Sequence, residues 1–289
     1  MGQQATGRQM RSGGGPMRLG VVSFINTLPL IDGLEALADL ELRHSVPSRL
    51  IEQLLADEVE VALCSSIDYQ RCDAPLVALP VGLLGCDGPT LTVRLYSTRP
   101  IERLERVYCD TDSHASIALM RILLQEMYGI EPRLVDYDAH RHVAGGSPID
   151  RPEAMLIIGD KVVTDSPPAV RYPHQLDLGE AWTEHTSLPF VFALWLAKET
   201  ADAPRLRRQR TAAAILDRQR RYNAIRLDWI VHHRAPRRRW PRDLAGDYLK
   251  HHIAYEFTER RRRGLELFYD KALAHGVIAR RRPLQIASL

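Results

Sequence analysis

Apolar residues come in short runs that end in small polar side chains, and the spacing of those runs predicts alternating strands and helices. Met17 to Phe24 (MRLGVVSF) reads as a short buried strand, and Asn26 to Leu40 carries apolar residues at helical spacing. Arg43 to Val46 reads as a second strand. Pro47-Ser48 followed by RLIEQLLADEV reads as a helix with Ser48 as its N-cap. Glu60 to Cys64 is a third strand and ends in Ser65-Ser66. This order of strands and helices predicts a parallel α/β sheet. Thr90 to Ser97 (TLTVRLYS) alternates like a strand, and Val107 to Cys109 starts a second α/β unit. Ser113 opens the helix SIALMRILLQEMYG, which Gly129 closes. Arg133 to Tyr137 and Ala154 to Ile158 read as further strands, and Pro189 to Trp195 as a strand or a strand-to-helix crossover. From Ala203 onward, RLRRQRTAAAILDRQRR, GDYLKHHIAYEF and ERRRRGLELFYDKALAHG read as helices with basic faces.

A chain of 289 residues is long for one α/β domain and natural for two. With 45% hydrophobic and 26% charged residues, it has the composition of a soluble globular protein. The net charge of +3 is too mild to imply nucleic acid. The arginine runs at Arg205 to Arg210, Arg237 to Arg242 and Arg260 to Arg263 lie on separate segments, so they read as solvated helix faces. No stretch is long and apolar enough to span a membrane. Residues 1–16 are polar and Gly-rich, without an apolar core, and are expected to form a tail rather than a secretory signal. Cys64, Cys72, Cys86 and Cys109 show no metal spacing, which suits free thiols in a reducing cytoplasm.

The candidate chemistry sits where apolar runs end, because strand ends form the ligand crevice of open α/β sheets. Ser23, Asn26 and Thr27 follow the first strand, where they could bind a ligand or cap a helix. Ser65, Ser66, Ser113 and Ser116 sit at strand ends and helix starts, where free N–H groups favour anions, although capping explains either pair alone. The loop GCDGP leads into Thr90 and Thr92. Strand alternation would put Thr90, Thr92 and Arg94 on one face, with Arg94 free to meet a carboxylate or an acidic side chain. Asp160 and His114 are candidate bases, but Asp160 reads more readily as a helix cap or a partner of Lys161 and His114 as an exposed residue at a helix start; Thr186 belongs to a polar pair before Pro189. There is no Ser-His-Asp spacing, GxGxxG, P-loop or HExxH. The residues therefore point to a cofactor-free site of neutral donors and leave its ligand open.

SFINTLPL, PSRLIEQLLADEVEVALCSSIDY, GCDGPTLTVRLYS, DSHASIALMRILL, LIIGD and DLGEAWTEHTSLPFVFALW occur in that order. This set resembles the chorismate dehydratase family of the futalosine route to menaquinone, strongly over Met17 to Lys198 and weakly beyond. The resemblance implies a two-lobed α/β fold of the type II periplasmic-binding-protein class, with an interlobe ligand cleft. One lobe is expected from 17–96 and 191–289, which includes the C-terminal helices, and the other from 97–190. It also implies a cytoplasmic hydro-lyase without cofactor or metal, converting chorismate to 3-enolpyruvylbenzoate and water. Asn26 and Thr92 are its catalytic candidates. Ser23, Ser65, Ser66, Thr90, Arg94, Ser113, His114, Ser116, Asp160 and Thr186 are its substrate-binding candidates. The expected partner is a small molecule, with no nucleic acid and no membrane; a homodimer stays open. The sequence departs from the family pattern in having Thr92 for a usual Ser, Ala115 for a hydroxyl residue and Ser187 for a usual Gly. A paralogous lyase of the pathway, such as 1,4-dihydroxy-6-naphthoate synthase, or a non-catalytic binder of a small carboxylate is the alternative.

Overall fold

The computed structural model describes residues 15–138 and 152–288, so of the expected tail only Gly15 and Pro16 lie within the described residues. The chain builds two five-stranded sheets. The first contains β1 (Met17–Val22), β2 (Leu40–Ser45), β3 (Val61–Ser65), β4 (Leu76–Cys86) and β10 (Phe190–Lys198), in the order β2-β1-β3-β10-β4. The second contains β5 (Val93–Ser97), β6 (Arg106–Asp110), β7 (Arg133–Tyr137), β8 (Ala154–Ile158) and β9 (His174–Asp177), in the order β7-β6-β8-β5-β9.

Both sheets are mixed, where the run of strands and helices had predicted a parallel sheet. β1 pairs in parallel with β2 and β3, and β6 with β7 and β8. β10 runs antiparallel between β3 and β4, and β5 antiparallel between β8 and β9. These two strands are the ones beside the crossings. The chain leaves the first sheet at Cys86, has joined the second by Val93, and is back in the first at Phe190. Residues 93–96 thus lie in the second sheet, whereas the expectation from sequence put them in the first lobe.

Helices cover the sheets. They are α1 (Leu28–Ile31), α2 (Pro47–Leu55), α3 (Asp68–Arg71), α4 (His114–Tyr128), α5 (Lys161–Thr164), α6 (Leu178–Thr186), α7 (Ala203–Ala224), α8 (Leu227–Arg234), α9 (Arg242–Asp247) and α10 (Glu259–Ala274). The long helix expected after Asn26 is reduced to α1 between two 3-10 turns, Ile25–Thr27 and Leu34–Ala36. α2 starts with Pro47 in its first turn and Val46 as an N-cap without a side-chain bond, so Ser48 does not cap it. α4 begins and ends where the sequence placed it, with the Ser113 hydroxyl accepting from Ser116 N and Gly129 in the left-handed region at its end.

The C-terminal helices dress the first sheet: α10 packs on β10, and α7 packs on β4 and α1. The arginine-rich faces are largely tied down by acids, including Arg205 to Asp57, Arg208 to Glu60, Arg220 to Glu256 and Arg260 to Asp87. At the return crossing, Trp182, Phe190, Phe192 and Phe268 pack edge to face, with Phe190 4.7 Å from Phe192 and 4.8 Å from Phe268 by ring centroid. Such contacts add about 0.5–1.5 kcal/mol per pair beyond burial. They explain the aromatic content of DLGEAWTEHTSLPFVFALW: it fastens α6, β10 and α10 together beside the crossing.

Candidate active site

A cleft lies between the two sheets, open in part to solvent. Its walls are Val22, Phe24, Pro47 and Leu84 on one side, Val93, Ile158 and Gly159 on the other, and Phe192, Ala193 and Ile253. The polar groups that face it are Asn26, Thr90, Thr92, Ser113 and Ser116, and no charged side chain is among the lining residues. Gly159 is required at one wall. Its φ is +72°, and a Cβ there would lie 2.8 Å from the Phe24 ring.

Asn26 follows β1 of the first sheet, Thr92 lies in the crossing segment just before β5, and the two meet through Tyr248. Asn26 Nδ2 donates to Tyr248 Oη at 3.2 Å, and Tyr248 Oη lies 2.7 Å from Thr92 Oγ1. Asn26 Oδ1 accepts from the Thr27 hydroxyl at 3.3 Å, which orients the amide. Tyr248 sits in a π-helical turn, Tyr248–His252, fully buried, and its ring stacks on Trp240 at 5.0 Å. Burial pushes its phenol pKa well up, so the hydroxyl keeps its proton near neutral pH. This tyrosine was not legible from the sequence, because GDYLKHH has the pattern of any amphipathic helix.

The segment 87–92 is held by one carboxylate. Asp177 accepts from Thr90 N at 2.9 Å and Leu91 N at 2.7 Å, and also caps α6 through Gly179 N and Glu180 N. Leu91 is thereby fixed in the left-handed region at φ 61°. Strand alternation therefore fails before Val93. Thr90 and Thr92 do line the cleft, but Arg94 does not. Arg94 instead donates to Gln175 at 3.2 Å and pairs with Asp177 at 3.5 Å. The Thr90 hydroxyl is buried and has no partner.

At the start of α4, Ser113 Oγ accepts from both Ser116 N, at 3.3 Å, and Ser116 Oγ, at 2.9 Å. A hydroxyl that accepts twice still has its own proton to give to a ligand. Ala115 N is taken by Ser65 Oγ at 2.8 Å, across the gap between the lobes. Ser65 is thus a cap for α4 and not a lining residue.

Several other expected site residues serve the framework. Ser23 donates to Ser45 O and faces a separate polar cavity with Asp110 and Asp112. Ser66 is buried behind the cleft, its hydroxyl unpartnered. His114 Nδ1 lies 2.7 Å from Asp68 Oδ1, an ion-pair geometry that occupies the candidate base. Both carboxylate oxygens of Asp160 accept from Ile25 N, at 3.1 and 3.2 Å, so this acid caps a 3-10 turn of the facing lobe. Thr186 donates to Trp182 O at 2.7 Å and accepts from Leu188 N, which closes the C-terminus of α6. Burial raises the Cys86 thiol pKa and leaves it unreactive. Among the described residues, no cluster of His, Cys, Asp or Glu could hold a metal ion, and no helix is long and apolar enough to cross a membrane.

A model of the family described as menaquinone biosynthesis matches residues 17–274. The chain belongs to that family. A chorismate dehydratase of Thermus thermophilus is 30% identical over 204 residues, which span 66% of this chain and 73% of that relative. Among solved structures, a protein of Archaeoglobus fulgidus superposes with a TM-score of 0.65 at 17% identity, covering 91% of this chain and 98% of its own. A Candida albicans gene product described as having the generic periplasmic binding protein fold gives 0.63 at 11% identity, with 92% of each chain covered. This member of the menaquinone biosynthesis family therefore has a periplasmic-binding-protein-like fold: two α/β lobes joined at two crossings.

Proposed function

We propose that this protein is a chorismate dehydratase acting in the interlobe cleft, in the cytoplasm. The observation that carries the proposal is that Asn26, after β1, and Thr92, in the crossing segment, are brought together through Tyr248 at an apolar-walled cleft whose lining is uncharged. It is supported by family membership and by the name of the Thermus relative. The four free cysteines suit a reducing compartment.

The chemistry matches the residues. The proton lost is on the ring carbon that bears the enolpyruvyl ether, and its electron pair delocalises toward the ring carboxylate. Expulsion of the neighbouring hydroxyl, which takes up a proton and leaves as water, completes an aromatic ring. Aromatisation supplies most of the driving force, so the protein needs chiefly to hold two carboxylates and aim the leaving hydroxyl. Asn26, Thr92, Thr90 and Ser113 offer neutral donors, and Phe24, Val93 and Phe192 supply apolar walls for the ring. Donors fixed in a dry cleft act more strongly than they would in water.

Incubation of the purified protein with chorismate, followed by ultraviolet spectrum and product mass, tests the reading. Loss of one water to give 3-enolpyruvylbenzoate is the expected result. Chorismate bound but unchanged would leave a binding protein instead. Replacing Asn26 by Ala is expected to lower turnover by roughly a hundredfold or more, the scale of one preorganised donor, with little change in melting temperature.

A further inference from the structure

Tyr248 occupies a place that the proposed chemistry does not yet use. Its hydroxyl is fully buried and contacts two polar groups of the cleft lining, Asn26 after β1 and Thr92 in the crossing segment. The direction of each bond follows from elementary donor and acceptor counting. The Asn26 amide nitrogen can only donate, so it fills one lone pair of the phenol oxygen. The phenol has one proton, and of its two partners only Thr92 Oγ1 can accept it, at 2.7 Å. The opposite direction would leave the phenol proton without an acceptor in a buried site, which is costly. Thr92 Oγ1 therefore accepts a hydrogen bond from behind, and its own proton is left with only a long contact to Thr90 O, at 3.4 Å. A substrate oxygen in the cleft is a better acceptor than that.

We propose that Tyr248 is a positioning residue: from behind the cleft it turns the Thr92 hydroxyl into a donor toward the substrate and fixes the Asn26 amide beside it. The inference rests on the dehydratase reading, in which Thr92 and Asn26 face the leaving hydroxyl and the carboxylates. Tyr248 itself touches no substrate, since it is buried behind the lining residues. Three features hold it rigid: the stack on Trp240, the π-helical turn, and the neighbouring His252, whose Nδ1 is 2.9 Å from Pro89 O in the crossing segment. π-Helical turns often mark functional positions. Rigidity matters because an ordered chain of hydrogen bonds polarises along its length only when its members keep their geometry.

The experiment compares the full chain with its Tyr248→Phe, Thr92→Val and double variants on chorismate. A direct donor is worth roughly a hundredfold to a thousandfold in turnover, so a group acting through it is expected to cost roughly tenfold or more. Tyr248→Phe should lower kcat by that amount at nearly constant KM, because the ring and its stack remain. The double variant should be no slower than Thr92→Val alone, since the tyrosine acts through the hydroxyl already lost. Full kcat in Tyr248→Phe, or losses that multiply in the double variant, overturns the inference. A chain carrying 3,5-difluorotyrosine at position 248 keeps the ring and strengthens the donor. Its kcat should change by about twofold or more at constant KM, and an unchanged kcat overturns the inference even if Tyr248→Phe fails to fold. A wild-type chain that does not dehydrate chorismate would instead sink the dehydratase reading, so the two failures are distinguishable.

Discussion

Thr90 and Thr92 are two residues apart, and their hydroxyls are in opposite states. Thr92 Oγ1 is bonded to Tyr248, whereas Thr90 Oγ1 faces the cleft buried and unpartnered. An unpaired buried hydroxyl costs about 1–3 kcal/mol, which a bound ligand can recover by supplying the partner. Replacing Thr90 by Val keeps the shape and removes the polar atom. Its melting temperature is expected to equal or exceed that of the parent, while KM for chorismate rises several-fold, roughly the value of one hydrogen bond of about 1 kcal/mol. An unchanged KM would show that Thr90 does not meet substrate. Asn26 after the first strand and Thr90 and Thr92 behind the GCDGP loop were candidates from sequence, Asn26 and Thr92 singled out by the family resemblance, and all three line the cleft. Arg94 was misplaced because period-2 reasoning assumes extended backbone, and Leu91 is turned into the left-handed region by two hydrogen bonds to Asp177. Tyr248 could not be read at all: its role depends on two partners more than 150 positions away in the chain.

At the scale of elements, regular segments were read well and irregular ones poorly. β7 and β8 run over the residues that their apolar runs predicted, and α4 has its predicted cap. β4, the longest strand, was missed because Pro80 and two glycines interrupt its pattern. Its pairing with β10 shifts register between Ala78 and Leu83, and Pro80, which has no N–H to donate, falls in that gap. The end of α6 is the clearest departure from an easy local choice. Ser187 occupies the left-handed region at φ 59°, a position that favours Gly. The Cβ costs about 1–2 kcal/mol in that conformation, and a glycine would return about 0.5–1 kcal/mol of that as unfolded-state entropy. Ser187→Gly is therefore expected to stabilise the protein by roughly 0.5–1 kcal/mol and raise the melting temperature by roughly 1–3 °C. Activity should be unaffected, since the Ser187 side chain does not line the cleft. A lower melting temperature would mean that its hydroxyl holds the crossing in a way that backbone strain does not capture.

Across the whole molecule, two α/β units and a helical tail could be read from the chain, but the contacts that bring the lobes together could not, because each joins residues far apart. Ser48 N donates to Asp112 O, Ala115 N to Ser65, and Ile25 N to Asp160, so the lobes are latched across the cleft by backbone donors. A further clasp lies on the outer face. Glu126 of α4 accepts from Lys271 of α10, from His275 just past its end and from His185 of α6, at 2.7–2.9 Å. α10 packs on β10 of the first sheet, so this carboxylate ties the second lobe to the C-terminal helix. Burial alone would raise its pKa, but the three donors outweigh burial and hold it at about 2, against an ordinary 4.5. A carboxylate whose folded pKa is depressed contributes stability that is complete above its unfolded value and is lost as the pH falls toward the folded one. The window therefore runs from about pH 4.5 down to about 2. Glu126→Gln keeps the shape and removes the charge. It should melt well below the parent at pH 6, and the gap should close steadily through that window, as thermal melts at a series of pH values would record. Parallel curves that keep a constant gap down to pH 2.5 would show that the glutamate acts by packing and not by charge. At neutral pH a loosened clasp also frees α4, whose first turn lines the cleft. Glu126→Gln should therefore raise KM for chorismate while changing kcat less, since Asn26, Thr92 and Tyr248 lie on elements that the clasp does not touch.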